Sequence, residues 1–144
     1  QEEYSQASIL LTGRNMGCGS SREFAVWSLV DFGIRAIIAP SFGSIFFTNC
    51  IRNGLLPIVL DEQAIASLAD YVILNPQANQ LDIDLKTCHV IGPEGVTYPF
   101  ELQSGFQVML LEGLDAIDVT DKLSKEIDAF KTTDIQKRPW AYLN

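Results

Sequence analysis

Asp31-Phe32-Gly33-Ile34-Arg35-Ala36-Ile37-Ile38-Ala39-Pro40-Ser41 holds a helix end, a stop and a strand in one short run. Gly33 suits the left-handed conformation that ends helices. Arg35 to Ala39 has no alternation of polar and apolar residues. A short apolar run of that kind suits a strand covered on both faces. Pro40 cannot donate to a ladder and closes it. Reading backwards, Arg22 to Phe32 is a predicted helix, with Ser20 or Ser21 as its N-cap and Glu23 in its first turn. Before it lies a loop with three glycines, Gly13, Gly17 and Gly19, and before that a strand, Ala7 to Leu11. Reading forwards, Ser41 opens a helix over about Phe42 to Arg52, which Asn53-Gly54 closes. Leu56 to Leu60 is the next strand, and Asp61 caps a helix over about Glu62 to Tyr71.

This order, strand and helix in alternation, implies parallel strands joined by crossover helices. The second half has a different character. Leu81 to Leu85, Thr87 to Ile91 and Val96 to Leu102 read as antiparallel strands, with Gly92-Pro93-Glu94-Gly95 as a turn. Helices near Gly105 to Glu112 and Thr120 to Lys131 follow, and Asp134 to Asn144 reads as an irregular tail. The expected fold class is α/β, with a mixed, partly parallel sheet flanked by helices. No repeat or linker divides the chain, so 1–144 is expected to be one domain.

The chain has 144 residues, 47% hydrophobic and 19% charged, enough apolar sequence to bury a core. No apolar run reaches the ~18–20 residues of a membrane span. The start, Gln1-Glu2-Glu3-Tyr4, lacks Met, a basic n-region and an apolar h-region, so no signal peptide is read and a trimmed chain is expected. Ten basic and 18 acidic residues give a net charge of −8, which speaks against a polyanionic partner. Three scattered cysteines, Cys18, Cys50 and Cys88, with no CxxC pair, suit a reducing compartment, and the expected location is the cytoplasm.

The chemistry concentrates in Gly17-Cys18-Gly19-Ser20-Ser21-Arg22-Glu23. Glycines admit a ligand close to the backbone. The free amides and positive end of a helix start favour an anion. Arg22 offers a forked clamp for carboxylate or phosphate. The segment is an anion-binding corner. It is not a Walker A loop, because no Gly-Lys-Ser/Thr follows, and its glycine spacing is not that of a dinucleotide fingerprint. A Ser-His couple would need the single histidine, His89, which sits in a strand far along the chain. Ser20 can act as a base without one if amides and a cation stabilise its alkoxide. The plain alternative is a glycine loop with a capping serine and a surface arginine.

Asn15 to Glu23 resembles the substrate loop of the aconitase superfamily's swivelling domain. Asp31 to Phe42, Ile45 to Ile58 and, more weakly, Leu110 to Ile117 continue the likeness. Together they resemble the small subunits of 3-isopropylmalate dehydratase, a hydro-lyase of leucine biosynthesis. The resemblance implies a swivelling β/β/α-type domain and a reaction that removes and returns water on a hydroxy-dicarboxylic acid. It implies Ser20 as the base, Arg22 as the carboxylate ligand and Ser21, Gly19 and Cys18 as residues against the substrate. It also implies a [4Fe–4S] cluster held by a partner large subunit and not by this chain, so Cys18, Cys50 and Cys88 need not be ligands. The expected interface surrounds Gly13 to Arg22, with Trp140 and Tyr142 packing locally in the tail.

Two departures stand out. The family has histidine after its Arg-Glu pair, and this chain has Phe24. The family's N-terminal segment, which carries the loop that selects the substrate's side chain, is expected to be missing here. Two alternatives follow. One is a small subunit of a related hydro-lyase acting on homoaconitate, a methylcitrate-type acid or a dimethylmalate. The other is a catalytically silent anion-binding domain, which the intact Ser20-Ser21-Arg22 run argues against.

Overall fold

The structure, a computed structural model, describes residues 4–142; Gln1 to Glu3 and the last two residues of the tail lie outside them. The chain divides into two compact units, 1–113 and 114–144.

In the first unit three parallel strands form one sheet in the order β1-β2-β3: β1 (Ile9–Leu11), β2 (Ala36–Ala39) and β3 (Leu56–Val59). The register pairs Leu10 with Ile37 and Ile37 with Pro57. Crossover helices α1 (Phe24–Phe32) and α2 (Ser44–Arg52) join them, and α3 (Glu62–Leu74) follows β3. Side chains on a strand alternate between faces, and the core divides accordingly. Ile9, Leu11, Ala36, Ile38, Leu56 and Ile58 point to one face, which packs with Ala64, Ile65 and Leu68 of α3. Leu10 and Ile37 point to the other, which packs with Val26 of α1 and Phe46 and Cys50 of α2. Every residue of β2 is buried, as expected of a central strand covered on both sides. Fully burying a side chain such as Ile37 or Ile38 contributes roughly 1.5–3 kcal/mol, so this strand anchors both layers.

The antiparallel strands form a second sheet in the order β4-β5-β6: β4 (Asp82–Asp84), β5 (His89–Ile91) and β6 (Thr97–Pro99). Val90 and Phe100 join the core on the α3 side of the parallel sheet. The mixed α/β class stands, with its parallel and antiparallel strands in separate sheets. Helix α4 (Ser104–Glu112) closes the unit and ends at Gly113 in the left-handed region. Gly33 (φ 109) and Gly54 (φ 70) stop α1 and α2 region by region as their sequence implies, and the Asp61 carboxylate accepts from the Ala64 amide at 2.8 Å to cap α3. No helix among the described residues is long and apolar enough to cross a membrane.

The second unit differs from expectation. A helix over Thr120 to Lys131 and an irregular tail from Asp134 are replaced by two helices, α5 (Ala116–Asp121) and α6 (Ser124–Lys137), and a single 3-10 turn at Pro139–Ala141. The missed signal is a capping box. Asp115 accepts from the Ile117 and Asp118 amides while Asp118 accepts from the Asp115 amide at 3.0 Å. Near the end of α6, Asp134 accepts from the Arg138 guanidinium at 2.8 and 2.7 Å and from the Tyr142 hydroxyl at 2.9 Å. These bonds extend the helix through a stretch whose composition reads as loop, and they pack Tyr142 locally, as expected. Trp140 is exposed.

The Arg138 guanidinium, with the Tyr142 hydroxyl behind it, holds the Asp134 carboxyl below its ordinary value against the opposing effect of burial. A group depressed in the folded state stabilises above its unfolded pKa of about 3.9 and loses that contribution as pH falls through the folded value. The expected result is that wild type melts higher than Asp134→Asn at neutral pH, and that the gap closes below about pH 4. Melting curves of both proteins across pH 2 to 7, a range spanning the reference carboxylate values, check this; a gap that stays constant with pH would assign Asp134 a purely structural role.

Candidate active site

The loops after β1, β2 and β3 all leave the carboxyl ends of parallel strands, the edge where open α/β sheets place ligands. The first of them runs on from β1 through Thr12, whose amide still donates to the Ile38 carbonyl at 2.9 Å. At Asn15 the backbone turns left-handed (φ 59), and at Gly17 it does so again (φ 74). The loop is then pinned to the loop after β2. The Met16 amide donates to the Ser41 carbonyl and the Gly43 amide to the Met16 carbonyl, each at 2.9 Å. Met16 and Phe42 thereby form an isolated parallel bridge.

Two glycines make this approach possible. A Cβ on Gly17 would lie 2.0 Å from the Phe46 ring, and one on Gly43 would lie 3.0 Å from the Cys18 backbone. Gly19 has open space around it.

From Cys18 the chain winds through short turns. The Cys18 amide donates to the Asn15 carbonyl at 3.1 Å and the Ser20 amide to the Gly17 carbonyl at 3.4 Å. The Ser20 hydroxyl oxygen accepts from the Arg22 amide at 3.1 Å. Helix α1 then starts at Phe24, with Glu23 at the N-cap position and no side-chain cap. This corrects the expected start at Arg22 and the expected serine cap. Ser20 caps the turn before the helix, because its hydroxyl reaches only two residues along a chain that is not yet helical. Ser41 is corrected likewise. Helix α2 opens at Gly43 without a side-chain cap, and the Ser41 oxygen accepts instead from the Asn15 amide at 2.8 Å.

Ser20 is half-buried, while Cys18, Gly19, Ser21 and Arg22 are exposed. A hydrogen bond from the Arg22 amide to the Ser20 oxygen favours its anionic form. The first turn of a helix leaves amides without intrahelical acceptors, and α1 begins three residues beyond Ser21. Two arginines lie on this loop. Arg14 is committed to an ion pair with Glu62 in the first turn of α3. That contact keeps the Glu62 carboxyl below its ordinary value by hydrogen bonding. The Arg22 guanidinium has no hydrogen-bonding or ionic partner among the described residues, so it is available to a ligand. The loop thus combines a hydroxyl held by an amide, a helix start and a free forked cation.

The remaining candidates fall elsewhere. His89 sits on β5 with Nδ1 2.7 Å from the Thr87 carbonyl, in the second sheet, and has no bond to Ser20 or Ser21. Phe24 is 71% exposed, and its ring meets Trp27 at 5.0 Å between centroids. The position that carries histidine in the family therefore points outward here and gives the loop no hydrogen bond. Cys50 is buried among the α1 and α2 side chains, and burial pushes its thiol up to about 12. Cys88 packs on the other face of the parallel sheet, and Cys18 is exposed on the loop. The thiols do not converge, and among the described residues no group of three His, Cys, Asp or Glu side chains could hold a metal. A cluster does not fit this donor set. A cavity of about 740 Å³ runs along β1 between the ends of α1 and α3, and none of residues 12–23 lines it. The loop presents an open surface.

Residues 1–63 match the family of the aconitase C-terminal domain. Over 144 residues the chain is 53% identical to the 3-isopropylmalate dehydratase small subunit of Cupriavidus necator, all of this chain and 69% of that one. It is 45% identical over 140 residues to 3-isopropylmalate dehydratase small subunit 2 of Bordetella parapertussis, 97% of this chain and 69% of that one. Among solved structures, the 3-isopropylmalate dehydratase crystal structure from Methanocaldococcus jannaschii superimposes with a TM-score of 0.59 at 29% identity, covering 88% of this chain and 70% of that one. The parallel sheet and these identities agree, and the chain belongs to the family of 3-isopropylmalate dehydratase small subunits.

Proposed function

We propose that residues 1–144 act as one swivelling-type domain, the small subunit of an isopropylmalate isomerase, in the cytoplasm and only together with a large subunit. The reaction interconverts 2-isopropylmalate and 3-isopropylmalate by loss and return of water. The observation that carries this reading is the Ser20 oxygen held by the Arg22 amide just before α1, with an unpaired Arg22 guanidinium on the same loop.

In this reading Arg22 holds a substrate carboxylate through two parallel N–H bonds, and the substrate lies across Cys18, Gly19 and Ser21. Ser20 takes a proton from the carbon next to the one that carries the hydroxyl. The same group returns the proton to the carbon that lost the hydroxyl, and water adds at the carbon that lost the proton. The hydrogen bond from the Arg22 amide to the Ser20 oxygen lowers the cost of its anionic form. Departure of the hydroxyl is not supplied by this chain, whose donors do not fit a cluster. The [4Fe–4S] cluster belongs, in this proposal, to the large subunit, which covers the rim from Gly13 to Arg22.

The test is an anaerobic assay of this chain with a cognate large subunit and a reconstituted cluster, following absorbance of the unsaturated intermediate from 2-isopropylmalate. Turnover supports the reading. Binding to the large subunit without turnover of any hydroxy-dicarboxylic acid would favour a silent anion-binding domain. Turnover of a homoaconitate-type or methylcitrate-type acid alone would move the substrate and keep the chemistry. Within this assay Arg22→Lys should raise KM roughly ten- to hundredfold, the worth of a lost charged hydrogen bond of about 1.5–3 kcal/mol. An unchanged KM would show that another residue holds the carboxylate.

A further inference from the structure

We propose that Asn15 and Ser41 are positioning residues for this reaction, a clasp between the loops after β1 and β2 that sets where the Ser20 oxygen stands. The inference rests on the reading of Ser20 as the base. Ser41 meets Asn15 at two points. Its oxygen accepts from the Asn15 amide at 2.8 Å, and its hydroxyl lies 3.3 Å from Asn15 Oδ1, to which it donates. Its own carbonyl takes the next amide, that of Met16, at 2.9 Å. One serine thus satisfies two consecutive backbone donors and one side-chain acceptor on the neighbouring loop.

The purpose of so many bonds lies in the backbone they hold. Asn15 has φ 59, a conformation that costs most residues about 1–2 kcal/mol and that Asn tolerates better than most. From Asn15 the path to the reacting atom is short and made of hydrogen bonds. The Asn15 carbonyl takes the Cys18 amide, the Gly17 carbonyl takes the Ser20 amide, and the Ser20 oxygen takes the Arg22 amide. Gly43 lets the two loops lie close, since a Cβ there would come within 3.0 Å of the Cys18 backbone. Without the clasp, Asn15 is free to leave its left-handed state and the following turns move with it. A base displaced by about 1 Å loses on the order of a hundredfold in rate, while substrate binding through Arg22 changes far less.

Ser41→Ala, assembled with the large subunit, should lower kcat roughly ten- to hundredfold with KM within about threefold of wild type. Ser41→Thr keeps the hydroxyl and should recover most of the loss. Asn15→Gly keeps the left-handed backbone and removes the amide side chain, and should lower kcat by about three- to tenfold. The deciding variant is Ser20→Ala combined with Ser41→Ala. If Ser41 acts through Ser20, the double variant is no slower than Ser20→Ala alone, since residues acting as a unit are not additive. Normal kcat in both Ser41→Ala and Asn15→Gly would overturn the proposal, and so would losses that multiply in the double variant. Ser41→Cys, which keeps the side chain's size and weakens both of its bonds, takes the place of Ser41→Ala if that variant does not assemble. Full turnover in Ser20→Ala would instead overturn the reading of the base, an outcome distinct from failure of the clasp.

Discussion

Ser20→Ala is expected to cut kcat by about a hundred- to ten-thousandfold, the usual contribution of a positioned general base, with KM changed by no more than a few-fold. The base acts in the transition state, so ground-state binding through Arg22 survives its removal. The substitution also removes the acceptor for the Arg22 amide. That bond lies in an exposed turn and contributes about 0.5–1.5 kcal/mol at most. Melting should therefore shift little while turnover collapses. Steady-state kinetics of the assembled enzyme and a melting curve on the same preparation separate the two effects. Turnover near wild type would remove Ser20 from the chemistry and leave the loop as an anion cradle.

Gly17→Ala is expected to be the most damaging glycine-to-alanine change in the protein. Two independent costs meet there. Residue 17 has φ 74, and the added carbon would lie 2.0 Å from the Phe46 ring. Phe46 is itself buried against Val26, Ile37 and Cys50, so its ring has no room to retreat. Left-handed strain of about 1–2 kcal/mol and overpacking of about 1–3 kcal/mol together predict a loss of roughly 2–5 kcal/mol. The melting temperature should fall by roughly 10 °C, with turnover lost through the displaced loop. Gly19→Ala is the contrast, because the space around Gly19 is open. It should melt like wild type, and a raised KM would place substrate against it. Equal melting temperatures for the two alanine variants would show that the loop between β1 and α1 yields more easily than its packing implies.

Much of this architecture is legible along the chain. The apolar run at Ala36 to Ala39, bounded by Gly33 and Pro40, reads as a strand covered on both faces, and all of it is buried. Gly33, Asn53-Gly54 and Asp61 mark helix ends through properties of single residues. The corner at Gly17 to Arg22, the proposed anion site, stands out in the sequence because glycine, serine and arginine chemistry sits just before a helix pattern. The family resemblance rests on the same residues, and the identities to its members bear it out.

The serines show where local reading stops. Ser20, Ser21 and Ser41 each precede a helix pattern, and each reads as an N-cap. The chain outside both helices then chooses otherwise. Ser20 turns to the Arg22 amide, and Ser41 turns to Asn15, twenty-six residues earlier. The end of α6 shows the same limit, since Arg138 and Tyr142 converge on Asp134 and extend a helix into a polar tail.

Strand and helix patterning, stop residues and the chemistry of the loop are properties of neighbours in sequence, and hydrophobic period and single-residue dihedral preference are enough to read them. Which hydroxyl meets which amide, which arginine is spent on Glu62 and which remains free depend on contacts across β1 and β2 and between loop and helix. Those contacts exist only once the parallel ladder has brought the two loops to one edge, because a side-chain hydrogen bond reaches about 3 Å and has no sequence period to announce it.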